Sequence, residues 1–106
     1  MEKVLKRIGY TVETARNGVS AIEKINESAA FDLILLDVQM PDMNGYTFMF
    51  ELHKEEKNRK IPVIVISAYS EMEPILRHRG VRGYLVKPVR MEELLEKIKE
   101  FIGPPE

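Results

Sequence analysis

Three residues of this chain sit where side-chain chemistry would concentrate: Asp37 after the run Phe31-Asp32-Leu33-Ile34-Leu35-Leu36, Ser67 after Val63-Ile64-Val65-Ile66, and Lys87 after Gly83-Tyr84-Leu85-Val86. A carboxylate, a hydroxyl and an ammonium brought to one rim suit a single task, the transfer of a phosphoryl group to the carboxylate. Asp37 would attack phosphorus, Lys87 would neutralise charge on the phosphoryl oxygens, and Ser67 would donate a hydrogen bond to one of them. A dianionic donor meeting an anionic nucleophile also calls for a divalent cation, and Mg²⁺ held by oxygen ligands is the usual one. Taken singly, each residue has a plainer reading as a strand-end turn or a solvated charge. Their joint placement carries the hypothesis.

The elements that must position them are legible from periodicity. Runs that are almost wholly Leu, Ile and Val are expected for parallel strands covered on both faces, and ligands of such sheets sit beyond the carboxyl ends of the strands. Val4, Leu5 and Ile8 lie at helical spacing before Gly9, which can close a helix in the left-handed conformation. Tyr10 to Ala15 alternates polar and apolar residues and predicts an edge strand, after which Asn17 can cap a helix that turns Ala21, Ile22, Ile25 and Ala29 inward. A helix is predicted over Tyr46 to Lys57, with Met49, Phe50 and Leu52 towards the sheet. The next, between Ser70 and Arg79, must be short because Pro74 fits only a first turn. Met91, Leu94, Leu95, Ile98, Phe101 and Ile102 mark a final amphipathic helix, ending at Gly103. Alternating strands and helices with right-handed crossovers make a doubly wound parallel α/β sheet.

Length and composition bound the rest. The chain has 106 residues, 44% hydrophobic and 31% charged, which suits one domain over 1–103 and a tail over 104–106. With 16 basic and 17 acidic residues the formal charge is −1, so no bulk attraction to nucleic acid or to an anionic membrane is indicated. Its lack of cysteine rules out disulfides and thiolate metal sites and suits a cytoplasmic location. The apolar runs are strand length, so no membrane span is expected.

The motifs Leu35-Leu36-Asp37-Val38-Gln39-Met40-Pro41-Asp42-Met43-Asn44-Gly45, Ser67-Ala68, and Tyr84-Leu85-Val86-Lys87-Pro88 resemble those of the receiver domain of two-component response regulators. The likeness runs from Val4 to Ile102. It implies the flavodoxin-like receiver topology and a signalling module, not an enzyme, that takes phosphate from a histidine kinase or a phosphotransfer protein in a phosphorelay. By the same likeness Asp37 is the phosphoacceptor, Ser67 and Tyr84 form the switch, Ala68 keeps the site open, and Lys87 precedes a cis bond to Pro88. The backbone carbonyl of Gln39 joins Asp37 as a ligand to Mg²⁺.

The chain departs from the family at its start, where the resemblance implies a strand ending in an adjacent pair of acids that bind the metal. Neither strand nor pair is found before Asp37. In the order 2-1-3-4-5 that strand lies inside the sheet, so a rearranged or strand-swapped sheet, self-association and impaired phosphorylation are expected. An alternative function follows: a non-phosphorylated receiver acting as an oligomerisation or protein-interaction domain. The Ser67 to Lys87 interval also holds the basic run Arg77-His78-Arg79-Gly80-Val81-Arg82, read as a solvated surface or a contact for an acidic partner. Gly-rich phosphate loops are absent, and Gln39 stands where a dehalogenase-type phosphatase would need a second Asp.

Overall fold

A computed structural model of the chain describes residues 2–15, 17–27, 31–38 and 45–105. Among them are three strands, β1 (Ile34–Val38), β2 (Val63–Ser67) and β3 (Gly83–Val86), and five α-helices. The helices are α1 (Glu2–Ile8), α2 (Gly18–Glu27), α3 (Gly45–Leu52), α4 (Glu73–His78) and α5 (Met91–Ile102), with a short 3₁₀ turn at Glu56–Lys60. The strands pair in parallel in the order β1-β2-β3, with Val38 opposite Ser67 and Ser67 opposite Val86.

The central strand explains the layering. Successive strand side chains point to opposite faces, and all five residues of β2 are buried, so both faces must be covered. Val63 and Val65 pack with Ile25 of α2, Phe48, Met49 and Leu52 of α3, and Leu76 of α4. Ile64 and Ile66 pack on the other side with Leu5 of α1 and with Leu94 and Ile98 of α5. The predicted stripe of α5 is the apolar half of this second layer.

Local signals in the sequence correspond to local geometry. The Asn17 side chain accepts the Ser20 backbone N–H at 2.9 Å, capping α2 as such a residue does. Pro74 lies in the first turn of α4, which runs for only six residues. Gly9 has φ +124°, and its N–H donates to the Leu5 and Lys6 carbonyls as the chain leaves α1.

Three expectations need correction. Residues 10–15 form no strand. Their alternation is real, since Tyr10 and Val12 pack into the α1/α5 layer while Thr11, Glu13 and Thr14 are exposed, but among the described residues no strand pairs with this backbone. The Tyr10 hydroxyl instead donates to the Gly103 carbonyl at 3.0 Å and ties the segment to the end of α5. The strand expected over Phe31 to Leu36 runs instead over Ile34–Val38, starting three residues later and ending two later, so Asp37 lies within it, opposite Ile66. Finally, Phe50 points outward at 53% exposure and Phe48 takes the core position at 0%. Because α3 starts at Gly45, its buried residues Gly45, Phe48, Met49 and Leu52 fall at i, i+3, i+4 and i+7, and Phe50 lies off that stripe. Ala29, Gln39 and the loop from Met40 to Asn44 lie outside the described residues.

Candidate functional site

The carboxyl ends of β1, β2 and β3 are neighbours because the strands are parallel and in order. At this rim the Lys87 ammonium donates to both oxygens of Asp37, at 3.0 Å to Oδ1 and 3.2 Å to Oδ2. The pair bridges strands that are not themselves adjacent, spanning the end of β2. The Lys87 backbone N–H fixes its own strand end by donating to the Ser67 carbonyl at 2.8 Å. The peptide bond that follows, Lys87–Pro88, is cis. Asp37 remains half exposed while the Lys87 side chain is three-quarters covered, so the carboxylate is open to solvent and its partner cation is held from within.

Ser67 is buried at 2% exposure, and its hydroxyl accepts the Tyr69 backbone N–H at 3.0 Å. Tyr69 also accepts, through its carbonyl, the hydroxyl of the buried Tyr84 on β3. One residue thus connects the two expected switch positions, and the sequence carried no local sign of it. Tyr69 follows the strand as one more polar loop residue, and only the three-dimensional approach of β3 shows its carbonyl to be the acceptor.

Among the described residues no group of three or more His, Asp or Glu side chains comes together. Asp37 is the acid placed at the rim, and Gln39 lies outside the described residues. A Mg²⁺ ion needs near-octahedral oxygen coordination and is often held by one or two carboxylates completed by waters and substrate phosphate. The described residues alone do not assemble such a centre.

The fold and this rim agree with what the chain is similar to. A family model described as the response regulator receiver domain matches residues 1–99. The chain belongs to the response regulator receiver domain family. Receiver domains are phosphoacceptor signalling modules that work with histidine kinases and phosphotransfer proteins. The polar-differentiation response regulator DivK of Brucella anthropi is 31% identical over 102 residues, covering 94% of this chain and 82% of DivK. The transcriptional regulatory protein ZraR of Klebsiella oxytoca is 33% identical over 105 residues, and there the chain spans 97% of itself but 23% of ZraR. Among solved structures, the receiver domain of the sensor histidine kinase PA1611 from Pseudomonas aeruginosa, with a magnesium ion in its active-site cleft, superposes with TM-score 0.83 at 28% identity. That match covers 96% of this receiver domain and 84% of the other chain. The α/β receiver fold read from the sequence is therefore the fold of the chain.

Proposed function

We propose that this receiver domain accepts a phosphoryl group on Asp37 from a histidine kinase or a phosphotransfer protein, and that it does so slowly. The observation that supports the assignment is the two-pronged contact of Lys87 with both Asp37 oxygens across the rim. In the proposed step an Asp37 oxygen attacks phosphorus, the bond from phosphorus to the donor breaks, and the leaving group departs with that electron pair. Lys87 then exchanges one carboxylate oxygen for the new phosphoryl oxygens, keeping a cation beside the added charge. Ser67, one strand over, donates its hydroxyl to the phosphoryl group once it turns from its present bond with Tyr69. Tyr84 shares Tyr69 as a partner, so that movement biases its rotamer and carries the charge change to the surface.

The step is slow because Asp37, already engaged by Lys87, has no second described carboxylate beside it to help recruit Mg²⁺. Incubation with acetyl phosphate and Mg²⁺, followed by intact-mass measurement, is expected to show partial and slow addition of one phosphoryl group that Asp37→Asn abolishes. Addition that survives Asp37→Asn would remove the assignment. Rapid and complete addition that Asp37→Asn abolishes would keep it and overturn only the claim of slowness.

A second reading, that the domain acts mainly by associating with itself, draws on one feature. Among the described residues β1 pairs with β2 alone, leaving the other edge of an apolar strand unpaired. Unpaired strand edges template pairing with other chains. Light scattering is expected to give a mass above the monomer that rises with concentration, and a monomer at every concentration would count against this role.

A further inference from the structure

The basic run near Arg77 divides in two once it is folded. Arg77 is consumed internally, with its Nε on Glu73 at 2.8 Å and another N–H donating to the Arg82 carbonyl at 3.1 Å. His78 and Arg79 turn instead into a groove of about 310 Å³ between α3 and α4, where they meet His53, Lys54 and Arg59 from distant parts of the chain. Its apolar lining is Met49 and the exposed ring of Phe50, and no acidic side chain lines it among the described residues. The turn that closes it depends on Gly80, which has φ +106° and lies so close to His53 that a Cβ there would come within 2.9 Å of Cε1.

Arg59 and Arg79 make no ion pair with a carboxylate among the described residues, and Lys54, though paired with Glu51, keeps 57% of its side chain exposed. Lys54 lies 5.2 Å from the centre of the Phe50 ring and reaches Glu51 at 3.1 Å. The Arg79 guanidinium sits 4.2 Å from the centre of the Tyr46 ring and makes no hydrogen bond among the described residues. Arg59 gives its Nε–H to the His53 carbonyl and is otherwise exposed. Burial, and then the charge of Arg59, lower the pKa of His53, so the fixed charge at neutral pH comes from Lys54, Arg59 and Arg79. Aromatic rings under cations orient them at little entropic cost.

We propose that this groove docks an acidic peptide segment of a partner protein, its carboxylates on Lys54, Arg59 and Arg79 and one apolar side chain against Met49 and Phe50. Charge complementarity favours a peptide over nucleic acid. The chain as a whole carries −1, so its positive charge is local, and the groove offers three fixed cations where duplex binding commonly engages six to ten phosphates. A lone small anion would leave the apolar lining uncovered. The groove also lies away from Asp37: α3 and α4 run back from the rim, their last residues line it, and Arg82 beyond α4 donates to the carbonyl of Val63, the first residue of β2. It can therefore be occupied whether or not the rim carries phosphate, and its role does not depend on the phosphorylation reading.

The test is a titration of the isotopically labelled chain with a short synthetic peptide of glutamates and leucines, followed by NMR. Saturable shifts are expected at Phe50, His53, Lys54, Arg59, His78 and Arg79, with binding about tenfold weaker for the peptide in which glutamine replaces glutamate, and weakening with salt. The double variant Lys54→Glu, Arg79→Glu should lose about tenfold, while Lys97→Glu on α5 stays within about twofold. If the double variant unfolds by circular dichroism, the shift map of the unaltered chain decides. The proposal fails if shifts fall elsewhere or do not saturate, if the glutamine peptide binds equally well, or if a single-stranded oligonucleotide occupies the same groove more tightly than the peptide.

Discussion

Lys87→Met is expected to slow phosphoryl addition to Asp37 about a hundredfold, although it frees the nucleophile from its ion pair. The two effects oppose each other, and their sizes decide the sign. Lys87 is largely covered, but Asp37 is 49% exposed, so water screens the carboxylate end of the contact, and screened pairs of this kind contribute about 1 kcal/mol or less. Releasing Asp37 can therefore speed attack by no more than about fivefold. Against this stands the loss of the cation that would meet charge on the transferring group, and removing one such fixed donor costs about 10²-fold or more in rate. The slower outcome wins. The same weakness of the ground-state pair predicts that folding stability changes by less than about 1 kcal/mol, so denaturation curves should nearly coincide with the parent's while the time course by mass separates them. A Lys87→Met chain that gains phosphate as fast as the parent would place the cation outside the reaction.

What was legible in the sequence was whatever one segment settles by itself. Asn17 announces a cap because its acceptor lies three residues on, and Pro74 limits α4 because its missing N–H is tolerated only in a first turn. The rim was legible for a related reason. A polar residue at the end of an apolar parallel strand has one place to go, and ordered parallel strands bring such ends together. What the sequence hid was pairing between distant segments. Residues 10–15 have the alternation of a strand, yet a strand exists only where another backbone accepts its hydrogen bonds, and none does among the described residues. Tyr69 meets Ser67 through a local bond two residues long, but it became a partner of Tyr84 only when β3 came alongside β2. The groove was half hidden for the same cause: the basic run that holds Arg79 was visible as a contact for an acidic partner, but His53 and Arg59 are unremarkable until Gly80 lets α4 turn beside His53.

Phase within a helix is the other thing a short segment leaves open, and α3 offers the sharpest test. Phe48→Ala is expected to destabilise the domain by about 3–5 kcal/mol, the range for deleting a fully buried aromatic ring. Phe48 has no exposed surface and packs in the layer with Val63 and Val65 of β2 and Leu76 of α4, all likewise sealed from solvent, so little can collapse into the space it leaves. Domains of this size are stable by about 5–15 kcal/mol, which makes this one ring a large share of the total. Two residues along the same helix, Phe50→Ala should change stability by about 0.5 kcal/mol or less, because that ring is 53% exposed and its recorded partner is the Lys54 ammonium. Both are the same chemical deletion, so the contrast isolates burial. Urea denaturation monitored by circular dichroism measures both, with an unchanged slope showing that the midpoint shift reports stability rather than a changed unfolded state. If the two substitutions cost the same, or Phe50→Ala costs more, then α3 is rotated about its axis from the position described, and Phe50 is the ring that faces the sheet.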